Sequence, residues 1–135
     1  MTSKAVVFSS GLGRTRKIAE YIAAELKADL FDLKKQTTIN LSEYEHIIFG
    51  TGIHAGRPYG PLVKFLENNK GQLSGKKTSL FLACMLKEDK GEAQLKKVSG
   101  DLGVSDAFFF HTKEEKNDAG MDKSVDIFIG EMRKR

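Results

Sequence analysis

The sequence contains a single cysteine, Cys84, among its 135 residues. One thiol cannot form a disulfide within the chain, and it excludes every metal cluster that needs several cysteine ligands. No apolar run approaches the roughly 20 residues that a membrane-spanning helix requires. The apolar stretch Ala5–Phe8 is too short for a secretory signal, and no small-residue cleavage site follows it. Together these absences favour a cytoplasmic location.

The chain also lacks a strong charge of one sign. Its formal net charge is +4, and basic residues stand beside acidic ones along most of the sequence. The one basic cluster, Arg133-Lys134-Arg135, lies at the C-terminus, where cations suit the end of a helix. This pattern does not predict a nucleic-acid interface. With 40% hydrophobic and 30% charged residues, and without linkers or repeats, the composition predicts one globular domain over residues 1–135.

Five short, nearly continuous apolar runs divide the sequence, which is typical of strands buried on both faces of a parallel sheet. They are Ala5–Phe8, Leu30–Leu33, Ile47–Phe49, Ser79–Met85 and Ala107–Phe110. Amphipathic helical patterns separate most of these runs. After the first run, an apolar stripe recurs at helical spacing. Its residues are Ile18, Ala19, Ile22, Ala23 and Leu26.

Helix-start signals mark two of the other connections. Pro61 suits the first turn of a helix after the third run, because its missing N–H costs nothing there. Asp89-x-x-Glu92 resembles a capping box after the fourth run. The pattern after the fifth run predicts a last amphipathic helix. Between the second and third runs there is room for at most a short helix, at Ser42–Glu45.

Alternating strands and helices predict an α/β fold with a parallel sheet, and right-handed crossovers favour the strand order 2-1-3-4-5. In that order the connection reverses direction between strands one and three, so a ligand is expected beyond their carboxyl ends. The candidate loops are Ser9–Thr15 and Thr51–Tyr59, with Cys84–Lys87 from the fourth strand.

The segment Ser9–Thr15 has the composition of an anion-binding loop. It leads directly into a helix, where free backbone N–H groups and the helix dipole attract negative charge. Its two glycines allow close backbone approach, and hydroxyl groups flank them on both sides. The segment therefore predicts a phosphate site. A glycine-rich turn that binds nothing is the alternative.

Other phosphate-binding motifs fit less well. Gly75-Lys76-Lys77-Thr78 lacks the earlier glycine of a Walker A motif and precedes a strand instead of following one. A dinucleotide motif would use Gly11, Gly13 and Asp32, but Arg16 occupies its third glycine position; it remains an alternative. A phospho-receiver domain would need acidic residues after strands one and three, where the chain has none.

Two segments resemble the flavodoxin superfamily. Residues 4–19 read KAVVFSSGLGRTRKIA, like its phosphate loop, and residues 44–56 read YEHIIFGTGIHAG, like its third strand and first flavin-flanking loop. The first segment is similar, more narrowly, to the group that includes menaquinone-dependent protoporphyrinogen oxidase. The resemblance implies a flavodoxin-like three-layer α/β sandwich that binds FMN. It covers the first two thirds of the chain and weakens after Lys87.

The resemblance also implies three sets of FMN contacts. The phosphate would be held by Ser9, Ser10, Gly11, Leu12, Gly13, Arg14 and Thr15. One side of the isoalloxazine ring would meet Thr51, Gly52, Ile53, His54, Ala55 and Gly56. The other side would meet Ala83, Cys84, Met85, Leu86 and Lys87.

Two features depart from the family pattern. The fourth-strand loop has no aromatic residue, so ring stacking would fall to Tyr59, His54 or Met85. The chain is basic, whereas many electron-carrying flavodoxins are acidic, which favours an acidic redox partner. We expect an FMN-binding electron carrier without catalytic side chains or a metal. The alternatives are an FMN-dependent oxidoreductase of the protoporphyrinogen oxidase type, and a flavodoxin-fold binding module without FMN.

Overall fold

The computed structural model describes residues 4–9, 14–36, 38–54, 57–58, 60–83, 88–104, 106–110 and 123–134, with the backbone alone at 14, 53–54, 57–58 and 88–92. The strands are β1 (Lys4–Ser9), β2 (Asp29–Asp32), β3 (His46–His54), β4 (Arg57–Pro58), β5 (Lys77–Ala83) and β6 (Ala107–Phe110). The helices are α1 (Arg14–Leu26), α2 (Gly60–Asn68), α3 (Lys70–Leu73), α4 (Glu88–Leu102) and α5 (Lys123–Arg133). None of the described helices is long and apolar enough to span a membrane.

Five of the strands form one parallel sheet in the order β2-β1-β3-β5-β6, and the two-residue β4 pairs antiparallel with β3. Since β5 and β6 are the fourth and fifth parallel strands, the predicted order 2-1-3-4-5 and the flavodoxin-like α/β fold are confirmed. The strands β1, β3 and β5 lie inside the sheet, which explains why their apolar runs are continuous.

Two apolar layers cover the two faces of the sheet. One layer packs α1 and α5 against Val6, Phe8, Ile48 and Phe81. The other packs α2, α4 and part of the segment 38–45 against Ala5, Val7, Ile47 and Phe49. Alternate strand residues enter opposite layers because successive side chains point to opposite faces.

The helical predictions are confirmed where side chains are described. The stripe of α1 is buried at Ile18, Ala19, Ile22 and Ala23. In α2, Pro61 lies in the first turn, and the inward-facing residues are Leu62, Phe65 and Leu66. The helix α4 begins one residue before Asp89, and the side chains of the predicted capping box lie outside the described part of the structure.

Several boundaries differ from prediction. The strand β2 begins and ends one residue before the run Leu30–Leu33. The short helix α3 had no sequence signal, whereas turns occupy Ser42 and Glu43. The most consequential difference is at Thr51, where a loop was predicted and β3 instead continues to His54. It does so because β5 pairs with it as far as Gly52, and β4 pairs with it from Ile53.

Candidate functional site

The carboxyl ends of three central strands meet at one edge of the sheet. Ser9, the last residue of β1, is the register partner of Thr51 in β3. On the other side of β3, Gly52 is the partner of Ala83, the last residue of β5. The chain order changes direction between β1 and β3, which is where ligands bind in open α/β sheets. This edge is therefore the candidate site.

Only four residues separate the end of β1 at Ser9 from the start of α1 at Arg14. The first four residues of α1 are Arg14-Thr15-Arg16-Lys17, so no carboxylate competes for the free N–H groups of its first turn. The hydroxyl residues on either side of the loop are both buried, with Ser9 2% and Thr15 4% exposed. Two buried hydroxyl residues and a helix N-terminus thus lie together at the candidate site.

The β3 side of the site is a continuation of the sheet. Thr51 is fully buried, and its Oγ1 donates a hydrogen bond to the carbonyl oxygen of Gly52 at 2.8 Å. Beyond Gly52, His54 pairs with Arg57 of β4 in an antiparallel ladder. Ala55 and Gly56 lie between His54 and Arg57 in sequence. These two predicted flavin contacts therefore come directly after the paired end of β3.

The described structure covers only part of the predicted contact set. It brings together Ser9, Thr15, Thr51, Gly52 and Ala83 at one edge. For Arg14, Ile53 and His54 only the backbone is described, and it lies at the same edge. The other predicted contacts, and the stacking candidate Tyr59, lie outside the described residues: Ser10, Gly11, Leu12, Gly13, Ala55, Gly56, Cys84, Met85, Leu86 and Lys87.

Grooves bordered by described residues lie both beside this edge and far from it. A groove of about 350 Å³ lies at the opposite end of the sheet, bordered by Leu73, Thr78 and Val104. A groove of about 270 Å³ lies beside the site, between α1 and β2. Its charged residues are balanced, with Arg16 and Lys35 against Glu20 and Asp32.

The chemistry available at the edge is that of anion binding and exclusion of water. Within the described ranges, no group of histidine, cysteine, aspartate or glutamate side chains is placed to hold a metal ion. The donors at the edge are hydroxyl groups and backbone N–H groups, which suit the oxygen atoms of a phosphate. The sequence identified these donors, but it did not reveal that Thr51 lies inside a buried strand.

Comparison with known proteins gives a family match over most of the chain. The flavodoxin domain model matches residues 5–124. An uncharacterised protein from Methanocaldococcus jannaschii is 37% identical over 67 residues, which cover 50% of this chain and 43% of that protein. The matched region thus spans less than half the length of this curated relative.

Solved structures share the fold at lower identity. Oxidised Flavodoxin 1 from Bacillus cereus is 21% identical with a TM-score of 0.65, over 98% of this chain and 99% of that one. A flavoprotein in complex with FMN from Lactobacillus acidophilus is 16% identical with a TM-score of 0.64, over 81% and 93%. The rubredoxin oxygen:oxidoreductase of Desulfovibrio gigas is 18% identical with a TM-score of 0.70, over 96% of this chain and 35% of that one.

Proposed function

Because the chain belongs to the flavodoxin domain family, we propose that it binds FMN at the carboxyl edge of its sheet and carries electrons between partner proteins. The observation that supports this most directly is that the buried hydroxyl residues Ser9 and Thr15 lie together at the N-terminus of α1. A phosphate dianion needs many hydrogen-bond donors, and this edge offers hydroxyl and backbone donors without a nearby carboxylate in the first turn of the helix.

The residues present fit FMN in the following way. Ser9 and Thr15, with the rest of the segment Ser9–Thr15, would hold the phosphate, where the positive end of the helix dipole lies. The ring would then lie between the residues at the end of β3 and those that follow Ala83. Bound FMN supplies the one- and two-electron chemistry, and the protein supplies position and electrostatics. The buried ends of β1, β3 and β5 would limit the access of water to one side of the cofactor.

We propose a carrier in preference to an enzyme. Among the described residues at the edge, the side chains are small or hydroxyl-bearing, namely Ser9, Thr15, Thr51 and Ala83, and none is a strong acid or base. The net charge of +4 favours a partner with an acidic docking surface, because complementary charge speeds encounter. An oxidoreductase of the protoporphyrinogen oxidase type is the alternative that an assay must exclude.

Binding of FMN is tested by its dependence on the phosphate group. Flavin fluorescence quenching would measure the affinity of the apoprotein for FMN and for riboflavin, which lacks the phosphate. We expect Thr15→Ala to weaken FMN binding by about 1–3 kcal/mol, the cost of a lost hydrogen bond to a charged group, and to leave riboflavin binding unchanged. Thr38→Ala is the matched control, because Thr38 is exposed and lies outside the site. Equal affinity for FMN and riboflavin would contradict the proposal.

Electron transfer is tested separately from binding. The chemically reduced flavoprotein would be mixed with an oxidised, acidic ferredoxin, and reoxidation of the flavin would be followed by stopped-flow absorbance. A carrier should be reoxidised rapidly, and more slowly at high salt if the partner is acidic. Oxidation of protoporphyrinogen with a quinone as acceptor, without a similar reaction with protein acceptors, would instead support the enzyme.

A further inference from the structure

A groove of about 270 Å³ lies between α1 and the edge strand β2, next to the candidate phosphate site. Two residues that line it are sequence neighbours of the buried hydroxyl residues of the site. Phe8 directly precedes Ser9, and Arg16 directly follows Thr15. FMN ends at its phosphate group, so the proposed function makes no use of this groove. A ligand that continues beyond the phosphate would enter it.

The sheet side of the groove has an apolar surface that α1 covers only in part. Leu30 and Asp32 of β2 pair with Val6 and Phe8 of β1, and paired residues of parallel strands face the same side of the sheet. Val6 and Phe8 belong to the layer that contains α1. Leu30 is nevertheless 37% exposed, and it is one of two large hydrophobic side chains exposed to this extent among the described residues. A leucine exposed in a groove suits the flat face of a ligand ring.

Asp32 supplies a hydrogen-bond acceptor at the same groove. It is the last residue of β2, and its Oδ1 accepts from the backbone N–H of Lys34 at 2.9 Å. Its Oδ2 makes no hydrogen bond within the described part of the chain. Dinucleotide-binding α/β folds hold the adenosine ribose on a carboxylate about 20 residues after the phosphate loop. The position of Asp32 thus suits the hydroxyl groups of a ribose.

Two cations line the groove and can face a phosphate group. Arg16 is about half exposed, and its Nε lies 3.9 Å from Oε1 of Glu20. A surface ion pair of this kind contributes little, so the guanidinium can exchange it for a phosphate. Lys35 is exposed, and its ammonium group has no partner among the described residues. The balance of cations and carboxylates suits a ligand that presents both phosphate and hydroxyl groups.

The placement of Arg16 is compatible with dinucleotide binding. Arg16 occupies the third glycine position of the dinucleotide motif, where glycine allows the helix to pack closely on the strand. Here the side chain of Arg16 is exposed and lines the groove, so it does not lie between α1 and the sheet. Ile18, Ala19 and Ile22 fill that interface instead.

We propose that the groove holds the AMP half of FAD, so that the chain binds FAD at least as tightly as FMN. The ribose hydroxyl groups would donate to Asp32, and the adenine would lie against Leu30. Arg16 and Lys35 would face the second phosphate. The flavin half would bind as proposed for FMN, so this inference rests on the proposed function and extends it from a mononucleotide to a dinucleotide.

The affinities of the full-length apoprotein for FAD and FMN, measured by isothermal titration calorimetry, test this inference. We expect FAD to bind at least as tightly as FMN. Asp32→Asn keeps an acceptor for the N–H of Lys34 but removes the second carboxylate oxygen. It should weaken FAD binding about tenfold, as expected for one lost hydrogen bond to a charged group, without weakening FMN binding. Asp101→Asn is the matched control at the opposite end of the sheet and should weaken neither.

A second variant covers the case in which Asp32→Asn fails to fold. Lys35→Gln removes an exposed cation from the groove and should weaken FAD binding more than FMN binding, whereas Lys96→Gln in α4, on the other face of the sheet, should weaken neither. Tighter binding of FMN than of FAD, or equal losses for both flavins in Asp32→Asn, would overturn the inference and leave the proposed function intact. Failure to bind either flavin would contradict the proposed function and the inference together.

Discussion

The ring of Phe81 lies directly over the backbone of Gly50, its register partner in the neighbouring strand. A Cβ atom placed on Gly50 would stand 2.1 Å from Cζ of Phe81, far inside van der Waals contact. The ring cannot move away easily, since it stacks on Phe110 at 5.4 Å and meets Phe128 at 5.8 Å. Gly50 is thus required because the aromatic cluster occupies the space of a side chain.

We expect Gly50→Ala to lower the free energy of unfolding by about 3 kcal/mol, the upper end of the usual cost of overpacking. Phe81→Leu in the same chain should recover part of this loss, because the smaller side chain frees the space. Urea denaturation of the two single variants and the double variant gives the interaction free energy between residues 50 and 81. Gly100→Ala is the control: no atom lies within 4 Å of its added Cβ, so it should stabilise the helix by about 0.5–1 kcal/mol. Additive effects at Gly50 and Phe81 would contradict this account.

Two helices end in the same way but with different residues. After α1, Lys27 has φ +55°, and the N–H of Ala28 bonds to the carbonyl of Ala23 at 2.9 Å. After α4, Gly103 has φ +72°, and the N–H of Val104 bonds to the carbonyl of Ser99 at 3.0 Å. Both are left-handed C-terminal caps, which glycine adopts without steric cost. Lysine at this position is strained.

Lys27→Gly should therefore raise the free energy of unfolding by about 0.5–1 kcal/mol. It removes the strain of a left-handed lysine from the folded state, and this gain exceeds the cost of the greater conformational entropy that glycine has in the unfolded chain. Lys17→Gly changes the same residue type inside α1 and should instead lower it by about 1 kcal/mol. Thermal denaturation of both variants checks the opposite signs. A loss of stability in both would mean that Lys27 contributes contacts that exceed its strain.

The positions of the strands were predictable because short continuous apolar runs mark them in the sequence. The run Ala107–Phe110 coincides with β6, and Ala5–Phe8 lies within β1. The end of β3 left no such trace. The segment Thr51–His54 contains glycine and polar residues, and it is a strand only because β5 and β4 pair with it. Those partners are brought to it by the fold, not by its own composition.

The sequence predicts which edge of the sheet carries the candidate site residues, but it does not predict how they pack. The segment Ser9–Thr15 and the change of chain direction after β1 point to one edge of the sheet from the sequence alone. The requirement for Gly50, and the contact of His46 with Ser79, depend on residues that are 31 and 33 positions apart in sequence. No local pattern reports such distant pairs, so only the packed structure reveals them.

Tyr44 secures the segment before β3 to the edge strand β2. Its hydroxyl donates a hydrogen bond to Asp29, and its ring meets Phe31 edge-on at a centroid distance of 6.0 Å. The ammonium group of Lys76 donates to the Tyr44 carbonyl from the other side. Burial, followed by the hydrogen bond to Asp29, raises the pKa of Tyr44 from 10.0 to about 12.

The raised pKa makes Tyr44 a source of stability that is lost in alkali. Because the folded pKa is above the unfolded value, the protonated form of Tyr44 stabilises the fold fully below pH 10, and this contribution disappears as the pH rises from 10 to about 12. Absorbance of tyrosinate at rising pH should show one of the three tyrosines ionising late, and Tyr44→Phe should remove that step.

At neutral pH we expect Tyr44→Phe to lower the free energy of unfolding by about 1 kcal/mol, since the ring contact with Phe31 is kept and only the hydrogen bond to Asp29 is lost. Tyr21→Phe is the matched control. Its hydroxyl donates to Asp126 of α5 at 2.8 Å in a hydrogen bond that is exposed to solvent, where water can replace it, so its cost should be smaller. A late ionisation that persists in Tyr44→Phe would show that another tyrosine carries the raised pKa. The hydrogen bond between Tyr44 and Asp29 would then not be what holds β2 to the segment before β3.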